Sequence, residues 1–88
     1  MGRQIIYDAR FDRAVDELGG YRSIDRAIDT VMEALYRNPF GFKKFENDYI
    51  SFRYAITKRV DEIPPLVIIF VIGENGDVTL EHIEEGPE

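Results

Sequence analysis

Residues 66–83 read LVIIFVIGENGDVTLEHI, and this stretch decides the fold class of the chain. Seven consecutive apolar residues (66–72) are followed by a Glu-Asn-Gly-Asp turn signal and then by residues 78–83, where apolar and polar side chains alternate. Asn-Gly between two strand-like runs favours a hairpin, because both residues tolerate a positive φ. We therefore expect two antiparallel strands joined by this turn.

Two further strand-like runs lie outside this hairpin. Residues 50–57 read ISFRYAIT and alternate between apolar and polar side chains. Residues 4–7 form a short run near the start of the chain. A long connection over residues 39–49 is rich in aromatic residues, which are expected to pack on the core. The aromatic side chains concerned are Phe40, Phe42 and Phe45.

Two amphipathic helices are expected between the first two strands. Asp8 is a suitable N-cap for the first helix, which would end at Gly19. Ser23 is expected to cap the second helix, which would end at Asn38 before a proline. The order strand, helix, helix, strand, strand, strand predicts an α+β fold, with a small antiparallel sheet of about four strands backed by a helical hairpin. Residues 1–88 are expected to form one domain, with the first strand antiparallel to the second if the two are neighbours.

Side-chain alternation assigns the faces of the predicted sheet. In the run over residues 50–57, the apolar face is expected to lie under the helices, which leaves Arg53 on the open face. The run over residues 66–72 is apolar on both sides, as in a strand buried on both faces. Two short helices cover one face only, so we expect the 39–49 connection, a second copy of the chain or a partner on the other. The side chains expected under the helices are Ile50, Phe52, Tyr54 and Ile56. Those assigned to the partner interface are Val67, Ile69 and Val71.

Composition restricts the chemistry that is available. The chain has no cysteine, which excludes disulfides and thiol catalysis, and one histidine with scattered carboxylates does not form a zinc site. No cofactor or metal is therefore expected. The longest apolar run is seven residues and the start lacks a signal-peptide core, so we expect a cytoplasmic protein without a membrane segment.

Charge is unevenly distributed along the chain. The net charge of −6 argues against non-specific nucleic-acid binding by the whole molecule. The segment from Arg37 to Arg59 nevertheless contains six basic and two acidic residues, a local net charge of +4. This segment could face a phosphate backbone or an acidic partner, or carry ordinary solvated charge.

Four stretches of the chain carry a family resemblance. They are the opening IIYDARFDRAVDEL, the FRYAI strand with its central arginine, and the pair LVIIFVI and VTLEHIEE. In this order they resemble the RelE/ParE toxin superfamily of bacterial toxin–antitoxin systems, which includes HigB-like and YoeB-like branches. The resemblance implies a small sheet backed by a helical hairpin. Toxic members of that superfamily cleave messenger RNA on the ribosome or inhibit DNA gyrase, and an antitoxin silences them by wrapping over their surface.

The resemblance also implies a site. Arg53 stands where RNA-cleaving members carry an arginine, and its guanidinium would hold a scissile phosphate on the open face. The alternative for Arg53 is an ion pair with a neighbouring carboxylate such as Glu81. Basic residues just before and after this strand would neutralise RNA phosphates. They are Lys43, Lys44, Lys58 and Arg59.

His82 is the second catalytic candidate, because a ribonuclease needs a general acid or base that titrates near neutral pH. Its place in the last strand resembles that of the catalytic histidine or tyrosine of some superfamily members. Alternation, however, puts His82 in line with Leu80 on the core side, and only a β-bulge would turn it outward. The alternative is a partly exposed structural histidine.

Three functions follow from these observations. The first is a toxin that acts as a ribosome-dependent endoribonuclease. The second is a non-catalytic binding protein of the same fold, either a gyrase inhibitor or a degenerate relative, and the third is a homo-oligomeric interaction module. An antitoxin or a second copy would cover the open face. A basic surface around Arg53 would favour the nuclease, and an apolar open face would favour the other two.

Overall fold

The computed structural model of the chain describes residues 3–45 and 51–86. The described residues form an α+β fold with two helices and a five-stranded mixed sheet, which confirms the predicted fold class. The strand that sequence alternation did not predict is a two-residue strand within the 39–49 connection. The elements in chain order are β1 (Ile5–Tyr7), α1 (Ala9–Glu17), α2 (Tyr21–Arg37), a 3₁₀ turn (Pro39–Gly41), β2 (Lys43–Lys44), β3 (Phe52–Ile56), β4 (Leu66–Ile72) and β5 (Val78–Glu85).

The strands are arranged in the order β1-β5-β4-β3-β2. Neighbours β2, β3, β4 and β5 are antiparallel, and the Asn-Gly hairpin between β4 and β5 is confirmed. The first strand does not pair with β2 or β3, which follow it in the sequence. It forms the edge of the sheet opposite β2, where it is parallel to β5. Its ends are held there by two backbone hydrogen bonds, from Val78 N to Gln4 O (2.9 Å) and from Asp8 N to Leu80 O (3.2 Å). The sheet is therefore mixed rather than wholly antiparallel.

The turn between β4 and β5 combines a glycine with two side-chain contacts. Gly76 supplies the positive φ of 87° that the turn requires. Asn75 Oδ1 accepts a hydrogen bond from Asp77 N (3.1 Å), and Asp77 Oδ1 accepts one from Gln4 N (2.9 Å). The same turn thus closes the hairpin and anchors the start of β1.

The helix boundaries follow from capping chemistry. Asp8 is the N-cap of α1, as predicted, and its Oδ1 accepts a hydrogen bond from Arg10 N at 2.8 Å. The second helix begins at Tyr21, two residues before the predicted cap, so the prediction for Ser23 is wrong. Gly20 adopts a positive φ of 91°, which lets the chain turn sharply and enter the helix at once. Ser23 lies in the first turn, where its Oγ donates to Gly19 O (3.0 Å).

Both helices pack on the same face of the sheet. Phe11 and Val15 of α1 and Leu35 of α2 are fully buried there. From the sheet side, the core receives alternate residues of the two longest strands, as expected for a half-buried sheet. These are Leu66, Ile68 and Phe70 of β4 and Val78, Leu80 and Ile83 of β5.

Only one of the three connecting phenylalanines packs on this core. Phe42 makes an edge-to-face contact with Phe70, with ring centroids 5.7 Å apart. Phe40 and Phe45 are 56% and 40% exposed, so the prediction that all three pack on the core is wrong for these two. For Phe45 the reason is the unpredicted strand β2, whose pairing with β3 directs successive side chains to opposite sides of the sheet. Phe40 lies in the preceding 3₁₀ turn, where the Arg53 guanidinium covers its ring.

Candidate functional site

The register between β3 and β4 decides which side chains face the helices. Directly opposed residues of an antiparallel pair point to the same face of a sheet. Ala55 is paired with Ile68, and Arg53 is paired with Phe70. Ile68 and Phe70 are fully buried under the helices, and Ala55 is only 2% exposed. Arg53 therefore lies on the helix face of the sheet, and its predicted position on the open face is wrong.

The apolar side chains of β3 lie on the other face. Ile56 is 54% exposed, whereas its neighbour Thr57 is buried and accepts a hydrogen bond from Leu66 N through Oγ1 (2.9 Å). The prediction that Phe52, Tyr54 and Ile56 lie under the helices is therefore also wrong. Ile50 falls outside the described residues. The physical reason is that alternation shows which residues share a face but not which face is covered, and the register with β4 puts Ala55 beside buried Ile68.

We call the face opposite the helices the open face. Both helices lie on the far side of the sheet, and the residues that register assigns to the open face are predominantly apolar. Phe45 extends this surface at the β2 edge, where its ring centroid lies 4.9 Å from that of Tyr54. The apolar and aromatic residues of the open face are Ile6, Phe45, Phe52, Tyr54, Ile56, Val67, Ile69 and Val71. The three residues predicted as a partner interface are thus on the expected face.

A β-bulge in β5 brings His82 to the open face. Ile69 is paired with His82 and Phe70 with Leu80, so the register shifts between them and Glu81 is the extra residue. His82 therefore lies beside Ile69, on the face opposite the one that simple alternation predicts. Its side chain is 45% exposed, and its Nε2 lies 3.4 Å from Glu84 Oε1.

An ion pair with α1 anchors the bulge. Arg10 Nη2 donates to both carboxylate oxygens of Glu81, at 3.1 and 3.3 Å. Arg10 Nε also donates to Asp8 Oδ1 at 3.1 Å, and this hydrogen bond, with the Glu81 and Asp8 charges, raises the pKa of Arg10. The alternative partner suggested for Arg53 is therefore wrong, because Arg10 engages Glu81 on β5, whereas Arg53 lies on β3, with β4 between them, and donates to backbone carbonyls.

Arg53 stabilises the connection that precedes β2. Its Nη1 donates to Phe42 O at 2.8 Å and to Phe40 O at 3.2 Å. The guanidinium carbon lies 5.6 Å from the centroid of the Phe40 ring, within the range of a cation–π contact. These contacts fix the 3₁₀ turn against the start of β3, which is a structural role.

The basic residues predicted to bind RNA are spread over the molecule. Lys43 is paired with Tyr54 and lies on the open face, whereas Lys44 is paired with Arg53 and lies on the helix face. Lys58 and Arg59 follow the end of β3, and Lys58 lies four residues beyond Tyr54, about 13 Å along an extended chain. The local charge of +4 therefore does not form one patch on the described surface.

Arg53 and His82 are not brought together. The five-stranded sheet lies between the two side chains, so one scissile phosphate cannot contact both. The open face instead presents His82, Ile69, Tyr54 and Lys43 in one row across four strands. A proton donor and a cation are present in this row, with an apolar residue between the histidine and the tyrosine.

Tyr21 is a further titratable aromatic residue, on the helix side. Its hydroxyl donates to Asp12 Oδ1 at 2.6 Å, and its ring contacts those of Tyr7 and Phe11. Burial, together with this hydrogen bond, raises the pKa of Tyr21 and keeps the phenol protonated. Tyr21 therefore packs and donates a hydrogen bond, and it is not a base.

Within residues 3–45 and 51–86, no three carboxylate or histidine side chains are grouped so that they could hold a metal ion. No helix in that part of the chain combines the length and apolar character needed to cross a membrane.

Comparisons with protein-family models, with curated proteins and with solved structures found no match to this chain. Its candidate site therefore depends on the geometry of its own residues.

Proposed function

We propose that the chain is the toxin-like component of a toxin–antitoxin pair and acts by binding another protein through the open face. One observation carries the binding part of this proposal: the open face is apolar, while Arg53 is used structurally on the helix face. The toxin-like part is supported by the resemblance to the RelE/ParE superfamily and by the order of helices and strands.

The open face presents adjacent apolar side chains, some of them well exposed. Monomeric soluble proteins seldom expose large contiguous apolar patches, and such patches commonly mark interfaces. Ile6 and Ile56 are 43% and 54% exposed and stand near opposite edges of this face. Tyr54 and Phe45 add the aromatic area that is enriched in protein interfaces. An antitoxin or a target protein would bury this patch.

A ribosome-dependent endoribonuclease is the second candidate, and the β-bulge is the observation that favours it. The bulge places His82 on the same face as Tyr54, two strands away at about 10 Å, with Lys43 on the next strand. A histidine and a tyrosine could transfer protons, and the lysine could hold a phosphate. Glu84, beside His82, would repel that phosphate.

Growth of a bacterial host after induced expression tests both candidates. We expect the wild-type chain to arrest growth and Ile56→Asp to relieve the arrest, because a charge in the patch opposes docking of an apolar partner. Tyr36→Asp is the matched control, since Tyr36 is similarly exposed (51%) but lies on α2, away from the open face. Soluble wild-type protein without arrest would overturn the toxin assignment.

His82→Ala separates the two candidates. If docking alone causes arrest, cellular messenger RNA stays intact in cells that express the wild type, whatever His82→Ala does to the arrest. Relief of arrest by His82→Ala, together with cleaved messenger RNA in cells expressing the wild type, would establish the nuclease and overturn the binding proposal. Whichever candidate is correct, we expect Arg53→Ala to change growth arrest only by lowering the amount of folded protein, which immunoblotting measures.

A further inference from the structure

We infer that the open face binds the open face of a second copy of the chain, about a two-fold axis that runs parallel to β4. This inference rests on the proposed function, because it takes the open face to be a protein-docking surface. In the isolated protein, the molecule bound to the open face is then a second copy of the chain. One observation carries the inference, the distribution of charge across the face, and the pairing and buried area that the axis would produce are consistent with it.

The charges of the open face lie on opposite sides of its apolar centre. Glu84 lies on β5, with its side chain 59% exposed, and Lys43 lies on β2 at the other edge of the sheet. The residues between them, on β4 and β3, include Ile69 and Tyr54. A surface that is acidic on one side and basic on the other is complementary to itself once it is turned over.

The direction of the axis decides whether these charges attract or repel. A two-fold axis parallel to β4 reverses the strand order, so that β5 of one copy faces β3 and β2 of the other. His82 then faces Tyr54 of the second copy, and Glu84 comes within reach of its Lys43, twice by symmetry. An axis perpendicular to the strands would instead place β2 over β2 and bring the two Lys43 side chains together. Like charges at an interface oppose association, so the parallel axis is favoured.

The area of the face is sufficient for a weak dimer. The five strands contain about 25 residues, each occupying roughly 16 Å² of sheet, so the face spans roughly 400 Å² in projection. Protruding side chains such as Ile56 raise the accessible area, and two faces together bury on the order of 1,000 Å². This value lies at the lower limit of specific interfaces, which predicts a dimer that dissociates on dilution.

Sedimentation equilibrium of the purified full chain over a wide range of concentration tests the inference. We expect the average molar mass to rise from that of one chain to that of two chains as the protein concentration increases through the micromolar range. Ile56→Asp should abolish this rise, and Tyr36→Asp should not change it. A mass of one chain at every concentration would overturn the inference, as would a dimer that Ile56→Asp leaves intact.

Charge reversal tests the face and the axis. Lys43→Glu should raise the dissociation constant roughly 10-fold, because two symmetric ion pairs become repulsive. Lys44→Glu is the matched control, since Lys44 is the next residue of the same strand but lies on the helix face. Combining Lys43→Glu with Glu84→Lys should restore wild-type affinity. Failure of the double variant to recover, or equal weakening by Lys44→Glu, would overturn this arrangement.

The two proposals fail in distinguishable ways. A monomeric chain whose growth arrest is still relieved by Ile56→Asp would overturn the dimer and leave the docking function in place. A dimer that Lys43→Glu weakens as expected, in a host that shows no arrest, would support the dimer and overturn the toxin assignment.

Discussion

The two faces of the sheet are both largely apolar and differ in what covers them. Ile68 and Ile69 are consecutive residues of β4 and have the same side chain. Ile68 is fully buried under the helices, whereas Ile69 is partly exposed on the open face beside His82. The comparison teaches that apolar composition identifies a surface that will be buried, but not whether the chain itself or another molecule buries it.

The largest expected effect separates these two isoleucines directly. Ile68→Ala should lower the free energy of unfolding by about 2–5 kcal/mol, because it leaves a cavity in a closely packed core. Ile69→Ala should lower it by less than about 1 kcal/mol in a monomer, because water already reaches this position. Urea denaturation followed by circular dichroism, at a concentration where the chain is monomeric, measures both values.

Equal losses for the two variants would contradict this comparison, because they would mean that the open face is packed within the monomer. Ile68→Val is the control for the core position, since it removes one methyl group and should reduce the free energy of unfolding by about 0.5–1.5 kcal/mol. This variant keeps the β-branched side chain and the fold.

A second pair of adjacent residues, at the end of β3, sharpens the same comparison. Thr57→Val keeps the side-chain shape but removes the oxygen that accepts from Leu66 N, so a buried donor loses this acceptor. We expect the free energy of unfolding to fall by about 1–3 kcal/mol. Ile56→Thr, one residue earlier on the exposed face, should change it by no more than about 0.5 kcal/mol. A neutral Thr57→Val would contradict the assignment of Thr57 to the interior.

The sequence contained enough information for the fold class and for most boundaries of the helices and strands. The alternation over residues 78–83, the apolar run of β4 and the Asn-Gly turn predicted the β4–β5 hairpin. Asp8 predicted the start of α1 through its capping oxygen. The parallel partner of β1 was not predictable in this way, because hydrogen bonds between Val78 and Gln4 join residues far apart in the sequence.

The candidate site was predicted in part. Val67, Ile69 and Val71 were assigned to the open face, and register places them there, although their role as an interface remains a prediction. Arg53 was assigned to the wrong face, because alternation shows which residues share a face and not which face is covered. The signal that could have corrected this is Ala55, whose small side chain suits close packing under a helix.

His82 was misplaced for a different reason. A β-bulge is a tertiary feature, and here it is stabilised by Glu81 and Arg10, which lie 71 residues apart in the sequence. No local pattern around His82 indicates that one residue of β5 will be left without a partner. Alternation is therefore reliable along a regular strand and fails beyond a bulge.

Arg53 provides the third test, because it separates a structural side chain from a catalytic one. Arg53→Ala removes the hydrogen bonds to Phe40 O and Phe42 O, and we expect a loss of about 1 kcal/mol in the free energy of unfolding. Lys44→Ala, opposite Arg53 in register but exposed, should change it by less than about 0.5 kcal/mol. Unchanged stability in Arg53→Ala would reopen a functional role for this residue on the helix face.

The smallest expected effect concerns the start of α1, the helix that covers the core face. The backbone hydrogen bond from Arg10, followed by the side-chain hydrogen bond from Arg10, holds the pKa of Asp8 below its usual range. A carboxyl group whose pKa is lowered by folding stabilises the folded state at pH values above its unfolded-state pKa of about 3.9. This contribution is lost as the pH falls through the lower pKa of the folded state.

Asp8→Asn tests this pH dependence, because asparagine keeps a capping oxygen but carries no charge. We expect the urea midpoint of the wild type to exceed that of Asp8→Asn slightly at pH 7. The difference should disappear as the pH falls below about 4 and through the lowered pKa of Asp8 in the folded state, because the carboxyl group is then protonated. Asp8→Ala, which lacks the cap, should stay below Asp8→Asn at every pH. Midpoints for wild type and Asp8→Asn that remain parallel down to low pH would show that the cap acts through its hydrogen bond alone, and that the Asp8 charge does not stabilise α1 on the covered face.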